Sequence, residues 1–161
     1  MIRNLLLLRH AEAAERLALQ NDYDRPLTER GIQQAVNVGH YLTTNEWQPQ
    51  LILASPALRT RTTSKIVADA IGYPEGEILL EPVIYNGSVQ HLYQCVRQVH
   101  TDFTTVLVVA HNPGISYLGE WLTKVPETAL KPAGLLRIEF ELALWSDLRE
   151  GCGKWESIFQ P

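Results

Sequence analysis

Short, wholly apolar runs alternate with longer stretches in which apolar residues recur at helical spacing. The apolar runs cover residues 5–8, 51–54 and 106–110, and residues 78–80 form a weaker one. A wholly apolar run of this length is typical of a strand that is covered on both faces. The pattern therefore predicts four strands, each buried in the interior of a sheet.

Helix signals occupy the intervals between these runs. Thr28 and Ser88 are typical helix caps, Gly72 suits the end of a helix over residues 58–71, and Pro113 suits the first turn of a later helix. The helix after Thr28 has the apolar positions Ile32, Ala35, Val36, Gly39 and Leu42. We expect these positions to face the core.

The end of the chain has a different pattern. Apolar and charged residues alternate over residues 136–141, and residues 155–159 follow after a Gly-Cys-Gly break, which predicts an antiparallel hairpin. Strands that alternate with helices elsewhere favour an α/β fold. We predict a three-layer α/β/α sandwich whose central sheet is mostly parallel, with the antiparallel C-terminal hairpin at its edge.

Composition supports one globular domain over residues 1–161 and excludes several classes. The 161 residues are 45% hydrophobic and carry a formal net charge of −4, which disfavours nucleic-acid binding by bulk charge. The apolar run at residues 5–8 is too short for a signal peptide or a membrane span. The two cysteines, Cys95 and Cys152, form no CxxC motif, so we expect a cytoplasmic protein without membrane association.

Charged and polar side chains follow the predicted strands at the points where the strands end. Arg9 and His10 follow the first strand, Arg59 lies shortly after the second, Glu81 follows the third and His111 follows the fourth. Because the carboxyl ends of parallel strands meet at one edge, these side chains should converge there. The Arg side chain presents a planar fork of donors suited to phosphate oxygens. The set therefore predicts an anion site.

Plainer interpretations exist for each of these residues. A lone histidine after an apolar strand is more often a hydrogen-bonded structural residue, and Glu81 beside Pro82 fits an ordinary loop carboxylate.

Arg59 and Arg61 are two apart on a predicted helix and cannot share a face, so one of them should lie in solvent. The alternative for Arg9 is that it forms an ordinary surface ion pair with Glu12 or Glu15.

Other reaction types lack their motifs in this chain. There is no GxxxxGK[ST], GxGxxG, GxSxG or HExxH, and the five histidines show no metal-ligand spacing. The segment 22–24 (Asp-Tyr-Asp) is superficially similar to an aspartyl-phosphate nucleophile, but no apolar strand precedes it. We interpret it as a loop, and we expect neither a metal nor a cofactor.

Four segments in sequence order resemble the histidine phosphatase superfamily. They are Leu-Arg-His-Ala-Glu at 8–12, Arg-Pro-Leu-Thr-Glu-Arg-Gly at 25–31, Ser-Pro-Ala-Leu-Arg-Thr-Arg-Thr at 55–62 and His-Asn-Pro-Gly at 111–114. Ala11 replaces the glycine of the family's Arg-His-Gly pattern. Within the superfamily the short chain resembles the SixA-type phosphohistidine phosphatases. About twenty residues separate Glu81 from the fourth strand, which is enough for one helix and no cap domain.

The resemblance implies a role for each candidate. His10 would be the nucleophile and form a phosphohistidine enzyme that water hydrolyses, with its second ring nitrogen protonated and held by a backbone carbonyl. Arg9, Arg59 and His111 would surround the phosphoryl oxygens, and Arg25 would be a further contact.

Glu81 is the position nearest to the general acid that family members use for phosphate esters. A phosphohistidine substrate needs no strong acid, because its imidazole leaving group has a conjugate acid with pKa ~6.5. The resemblance implies a metal-independent phosphatase acting on a phosphohistidine protein, such as a phosphocarrier or a histidine kinase domain. The alternatives are a small-molecule phosphomonoesterase or mutase, and a phosphoprotein-binding module with little turnover.

Overall fold

Helices cover both faces of a six-stranded sheet in the computed structural model, which describes residues 1–126 and 129–161. The strands are β1 (Ile2–Arg9), β2 (Leu51–Ala54), β3 (Leu79–Leu80), β4 (Thr105–Ala110), β5 (Leu135–Glu141) and β6 (Lys154–Phe159). The helices are α1 (Glu29–Thr44), α2 (Leu58–Ile71), α3 (Pro82–Tyr85), α4 (Val89–Arg97) and α5 (Gly114–Thr123). None of the helices within these described ranges has the length and apolar character needed to cross a bilayer.

The sheet has the strand order β3-β2-β4-β1-β5-β6. The four strands from β3 to β1 run parallel, whereas β5 pairs antiparallel with β1 and β6 pairs antiparallel with β5. This arrangement confirms the predicted α/β fold with its mostly parallel sheet and its C-terminal edge hairpin.

The apolar run in β1 packs on both faces of the sheet. Leu6 and Leu8 contribute to one core with α1 and α2, and Leu5 and Leu7 contribute to a second core with α4 and α5. All four side chains are fully buried. Because successive residues of a strand point to opposite faces, a central strand with helices on both sides needs apolar residues at every position.

The predicted helix boundaries agree with the structure at all four positions. The hydroxyls of Thr28 and Ser88 each accept a hydrogen bond from a backbone N–H in the first turn of α1 and α4, and Gly72 ends α2 in the left-handed conformation with φ 71°. Pro113 occupies the cap position of α5, which begins at the next residue, Gly114. The short helix α3 had no counterpart in the sequence prediction.

Ile32 was wrongly predicted to face the core. Its side chain is 46% exposed, and Gln34 takes a buried place on α1. The amide oxygen of Gln34 accepts a hydrogen bond from the backbone N–H of Glu12, which satisfies the buried polar group. Gln34 therefore contacts the loop after β1, while Ile32 lies on the exposed side of α1.

Gly31 lies where the first turn of α1 meets the loop that follows β1. A Cβ atom at this position would lie 2.1 Å from the carbonyl oxygen of Glu12, and that oxygen already accepts a hydrogen bond from the backbone N–H of Thr28. Because the obstructing atom belongs to the backbone, a larger residue must displace α1 from the loop that carries His10.

We therefore expect Gly31→Ala to lower the free energy of unfolding by about 1–3 kcal/mol, as overpacking does elsewhere. Gly76→Ala is the matched control, because a Cβ at Gly76 meets no atom within 4 Å. Urea unfolding of both variants checks the prediction. Equal stabilities of the two variants would contradict it.

Candidate active site

The pairing of β1 with β4 places two histidines side by side. Their parallel register aligns Arg9 with Ala110, so the next residues, His10 and His111, leave the sheet together at its carboxyl edge. The two imidazole centroids lie 5.4 Å apart and the rings are tilted by 56°. Convergence at this edge is the arrangement that the sequence predicts.

The imidazole of His10 has a defined tautomer. Its Nδ1 lies 2.7 Å from the carbonyl oxygen of Ala11, and because a carbonyl can only accept, Nδ1 carries the proton and Nε2 keeps its lone pair. This contact confirms that a backbone carbonyl holds the ring. Burial lowers the pKa of His10 to about 4, and the positive charges of Arg59, Arg9 and Arg25 act in the same direction. His10 is therefore neutral at pH 7 and keeps the lone pair on Nε2.

His111 is held by Ser55, which directly follows β2. Its Nε2 lies 2.8 Å from the hydroxyl oxygen of Ser55, which is fully buried and accepts the backbone N–H of Ala57. The Ser55 hydroxyl has no acceptor other than His111 among the described residues, so it donates to Nε2 and leaves the proton on Nδ1. Burial, together with the charge of Arg59, lowers the pKa of His111 to about 3.

Two arginines place further donors in the site. Arg9 donates from Nη1 to the carbonyl oxygen of Leu130 at 3.0 Å. Arg59, in the first turn of α2, is buried and donates from Nη1 to the carbonyl oxygen of Asp22 at 2.8 Å. The buried Nε atoms of both arginines and Nδ1 of His111 have no hydrogen-bond partner in the described part of the chain.

A buried donor without a partner costs about 1–3 kcal/mol, so three such N–H groups near one another favour the binding of an acceptor. A tetrahedral oxyanion has the oxygen atoms and the negative charge that these groups lack. The site is thus built to receive an anion.

Asp22 and Tyr85 belong to the site, although the sequence analysis predicted neither as a site residue. The Asp22 carboxylate accepts hydrogen bonds from Arg25 at 3.1 Å, from Arg59 at 3.1 Å and from the Tyr85 hydroxyl at 3.0 Å. Burial alone would raise its pKa, but the hydrogen bonds from Arg25 and Tyr85 and the charge of Arg59 lower the pKa of Asp22 to about 2. With both histidines neutral, Arg9, Arg25, Arg59 and Asp22 give the site a net charge of +2.

The segment 22–24, which we predicted as a loop, forms a 3₁₀ turn. Asp22 lies three residues before Arg25, which is the spacing of a local ion pair and the one sequence signal that indicates it. Tyr85 lies on α3, and no pattern in the sequence predicted that helix.

The structure brings Arg9, His10, Arg25, Arg59 and His111 together. Arg25 is fixed by a 2.9 Å hydrogen bond from its Nε to the carbonyl oxygen of Ala14. Arg61 is exposed, as expected for one member of the Arg59–Arg61 pair. Within residues 1–126 and 129–161, no three His, Cys, Asp or Glu side chains gather to hold a metal ion.

The surface ion pair proposed as the alternative for Arg9 does not form. The carboxylate of Glu12 accepts a hydrogen bond from the Thr28 hydroxyl at 2.9 Å and lies 3.7 Å from Arg30. No ion pair in the described ranges includes Arg9 or Glu15. Arg9 therefore remains available to the site.

Glu81 is directed away from this group. It follows β3 in extended conformation, so its side chain shares a face with Leu79, and both residues line a groove between the sheet and α4. Burial and the nearby Glu81 carboxylate raise the pKa of Cys95 in that groove. Among the described residues, no hydrogen bond or ion pair joins Glu81 to His10 or His111.

Comparison with known families agrees with this geometry. The model of the histidine phosphatase superfamily (branch 1) matches residues 5–82, which include His10, Arg25, Arg59 and Glu81. The chain belongs to this superfamily. Its sheet and helices are those of the SixA type within it.

Three relatives illustrate the similarity. An uncharacterized chloroplastic protein of Arabidopsis thaliana is 36% identical over 121 residues, which is 70% of this chain and 55% of the relative. The phosphohistidine phosphatase SixA of Escherichia coli K12 is 27% identical over 115 residues, or 71% of this chain and 70% of the relative. A structure from Nakamurella multipartitia, assigned as a phosphohistidine phosphatase SixA, has a TM-score of 0.86 and 27% identity and covers 100% of this chain and 97% of that one. The match thus spans about half the length of the Arabidopsis relative.

The lowered pKa values lead to a prediction about protonation. We expect midpoints of about 4 for His10 and about 3 for His111 in an NMR titration of the ring nitrogens, against ~6.5 for an unfolded histidine. Because the unfolded chain binds more protons in this range, the free energy of unfolding should fall as the pH falls from ~6.5 toward 4. A midpoint near 6.5 for either ring would contradict the buried geometry.

Proposed function

We propose that this chain is a phosphatase that removes the phosphoryl group from a phosphohistidine side chain of another protein, through a covalent phosphohistidine on His10. The observation that carries the proposal is the state of His10. The ring is neutral, its Nδ1 proton is held by the carbonyl oxygen of Ala11, and no hydrogen bond of the described residues engages its Nε2. The neighbouring His111 ring, at 5.4 Å, has an unpartnered Nδ1, as have Arg9 and Arg59 at Nε.

Two displacement steps complete the reaction. In the first, Nε2 of His10 attacks phosphorus in line, the P–N bond of the substrate breaks, and the substrate imidazole leaves with the bonding electrons. In the second, water attacks the phosphorus atom of the phosphoenzyme, inorganic phosphate leaves, and the lone pair of Nε2 is restored. The other ring nitrogen of the substrate carries a proton, so the imidazole leaves as a neutral base. It needs no general acid, because the conjugate acid of imidazole has a pKa of only ~6.5.

Binding and charge stabilisation come from the arginines. Arg9, Arg25, Arg59 and His111 surround the phosphoryl oxygens, and the site charge of +2 balances a phosphoryl dianion. Fixed donors of this kind are commonly the largest contribution to catalysis, and loss of one costs about 3–4 kcal/mol. The proposed mechanism uses no metal ion and no cofactor.

The short connection between β3 and β4 favours a protein substrate. Between β3 and β4 the chain forms only α3, with four residues, and α4, with nine residues, so no cap domain is inserted there. A small phosphorylated metabolite is better held by an enclosed pocket, and a mutase must also keep water from its phosphoenzyme. The similarity to proteins named phosphohistidine phosphatase supports the same substrate class.

Phosphate release from three substrates tests the proposal. We expect release from a phosphohistidine phosphocarrier domain, in the presence of EDTA, to exceed release from a phosphoserine peptide or a sugar phosphate. His10→Ala should reduce release at least about a thousandfold, because a covalent mechanism has no substitute for its nucleophile.

The other outcomes identify the alternatives. Preference for the sugar phosphate would assign the chain to the small-molecule phosphatases or mutases. Binding of a stable phosphohistidine analogue without release from any substrate would indicate a phosphoprotein-binding module.

The position of Glu81 leads to a separate prediction. Because its carboxylate lies beside Cys95 and outside the group around His10, Glu81→Gln should change hydrolysis of phosphohistidine and of phosphoserine by less than about twofold each. Steady-state kinetics on both substrates measure the effect. A selective loss of phosphoserine hydrolysis would instead restore Glu81 as the general acid for esters.

A further inference from the structure

The carboxylate of Asp22 connects three segments of the chain that contribute residues to the site. Its carboxylate accepts from Arg59 in α2, from Arg25 in the loop before α1, and from the hydroxyl of Tyr85 at the end of α3. No other carboxylate in the described ranges forms an ion pair with Arg9, Arg25 or Arg59. The proposed reaction gives Asp22 no chemical step.

We propose that Asp22 is a positioning residue that holds the Arg59 guanidinium by its two Nη atoms and thereby leaves the Nε–H edge for the oxygens of the phosphoryl group. The inference rests on the oxyanion pocket of the proposed function. It adds a residue that acts through Arg59 and does not itself touch the substrate.

The hydrogen bonds of Arg59 support this role. Its Nη1 donates to the backbone carbonyl of Asp22 at 2.8 Å and its Nη2 donates to the Asp22 carboxylate at 3.1 Å, whereas its buried Nε has no partner among the described residues. A guanidinium is planar and rigid, so fixing two of its nitrogens also fixes the direction of the third.

Tyr85, which donates to Asp22, also packs against the ring of His111. Its ring lies 5.8 Å from the His111 ring in an edge-on arrangement and 5.1 Å from the ring of Tyr23. Burial and the Asp22 carboxylate raise the pKa of Tyr85, so the hydroxyl keeps its proton and donates to Asp22. Asp22 therefore links Tyr85, which packs against His111, to Arg59.

Two other roles for Asp22 fit the geometry less well. A general acid must carry a proton at neutral pH, and the pKa of Asp22 is lowered to about 2. A carboxylate that competed with the substrate for the anion position would accept hydrogen bonds from the N–H groups that bind the substrate. Asp22 does not do this, because the Nε atoms of Arg9 and Arg59 stay unpartnered.

The binding of tungstate, an oxyanion, distinguishes a positioning role of Asp22 from an effect of its negative charge alone. Asp22→Asn removes one negative charge from the site, so charge alone predicts tighter binding of tungstate. Positioning predicts weaker binding by about tenfold or more, because the amide presents donors to the donors of Arg25, Arg59 or Tyr85. Calorimetric titration with tungstate measures the dissociation constant, and kcat/KM for a phosphohistidine phosphocarrier domain should fall at least as far.

Asp24→Asn is the matched control. Asp24 lies in the same 3₁₀ turn, is exposed, and has the same charge, but in the described structure its hydrogen bonds involve only its backbone atoms. We expect its tungstate affinity and kcat/KM to stay within about twofold of the wild type. Tungstate binding by Asp22→Asn that equals or exceeds that of the wild type would overturn the proposal.

Tyr85→Phe keeps the inference testable if Asp22→Asn does not fold. This variant removes one hydrogen bond and keeps the carboxylate and both arginine contacts, so tungstate affinity should fall about threefold, and an unchanged affinity would overturn the proposal. Failure of the wild type to bind tungstate would overturn it as well. If the wild type binds tungstate but releases no phosphate from phosphohistidine, the proposed function fails while the test of Asp22 stands.

Discussion

The parallel pairing of β1 with β4 lies at the centre of the sheet and at the base of the site. Residues 5–8 are buried on both faces of the sheet, and the register that buries them also sets His10 beside His111 at the carboxyl edge. A slip by one residue would exchange the faces of β1 and separate the two imidazoles. Core packing and site geometry are therefore fixed by the same strand pair.

Burial gives the chemical groups at this edge different protonation states. Guanidinium groups stay charged when they are partly buried, whereas the two imidazoles lose their protons. Backbone carbonyls of loop residues offset the cost of burial by accepting from the ring of His10, from Arg9 and from Arg59. A chain with a net charge of −4 thus concentrates positive charge at one anion site.

The sequence predicted the parts of the site that follow directly from strand ends. Arg9, His10 and His111 could be located because apolar runs mark where β1 and β4 end. Asp22 and Tyr85 could not, because their roles arise from contacts between segments that are distant in sequence. Likewise, a strand of two residues does not reveal which face Glu81 occupies.

The covalent role proposed for His10 is tested by identifying the atom that becomes phosphorylated. The enzyme, labelled with ¹⁵N at histidine, is mixed with a phosphohistidine protein, and the intermediate is trapped in alkali and examined by ³¹P–¹⁵N NMR and mass spectrometry. We expect the phosphoryl group on Nε2 of His10, because Nδ1 carries the proton held by the carbonyl oxygen of Ala11. A phosphoryl group on Nδ1, on His111 or as an acyl phosphate on Asp22 would contradict it.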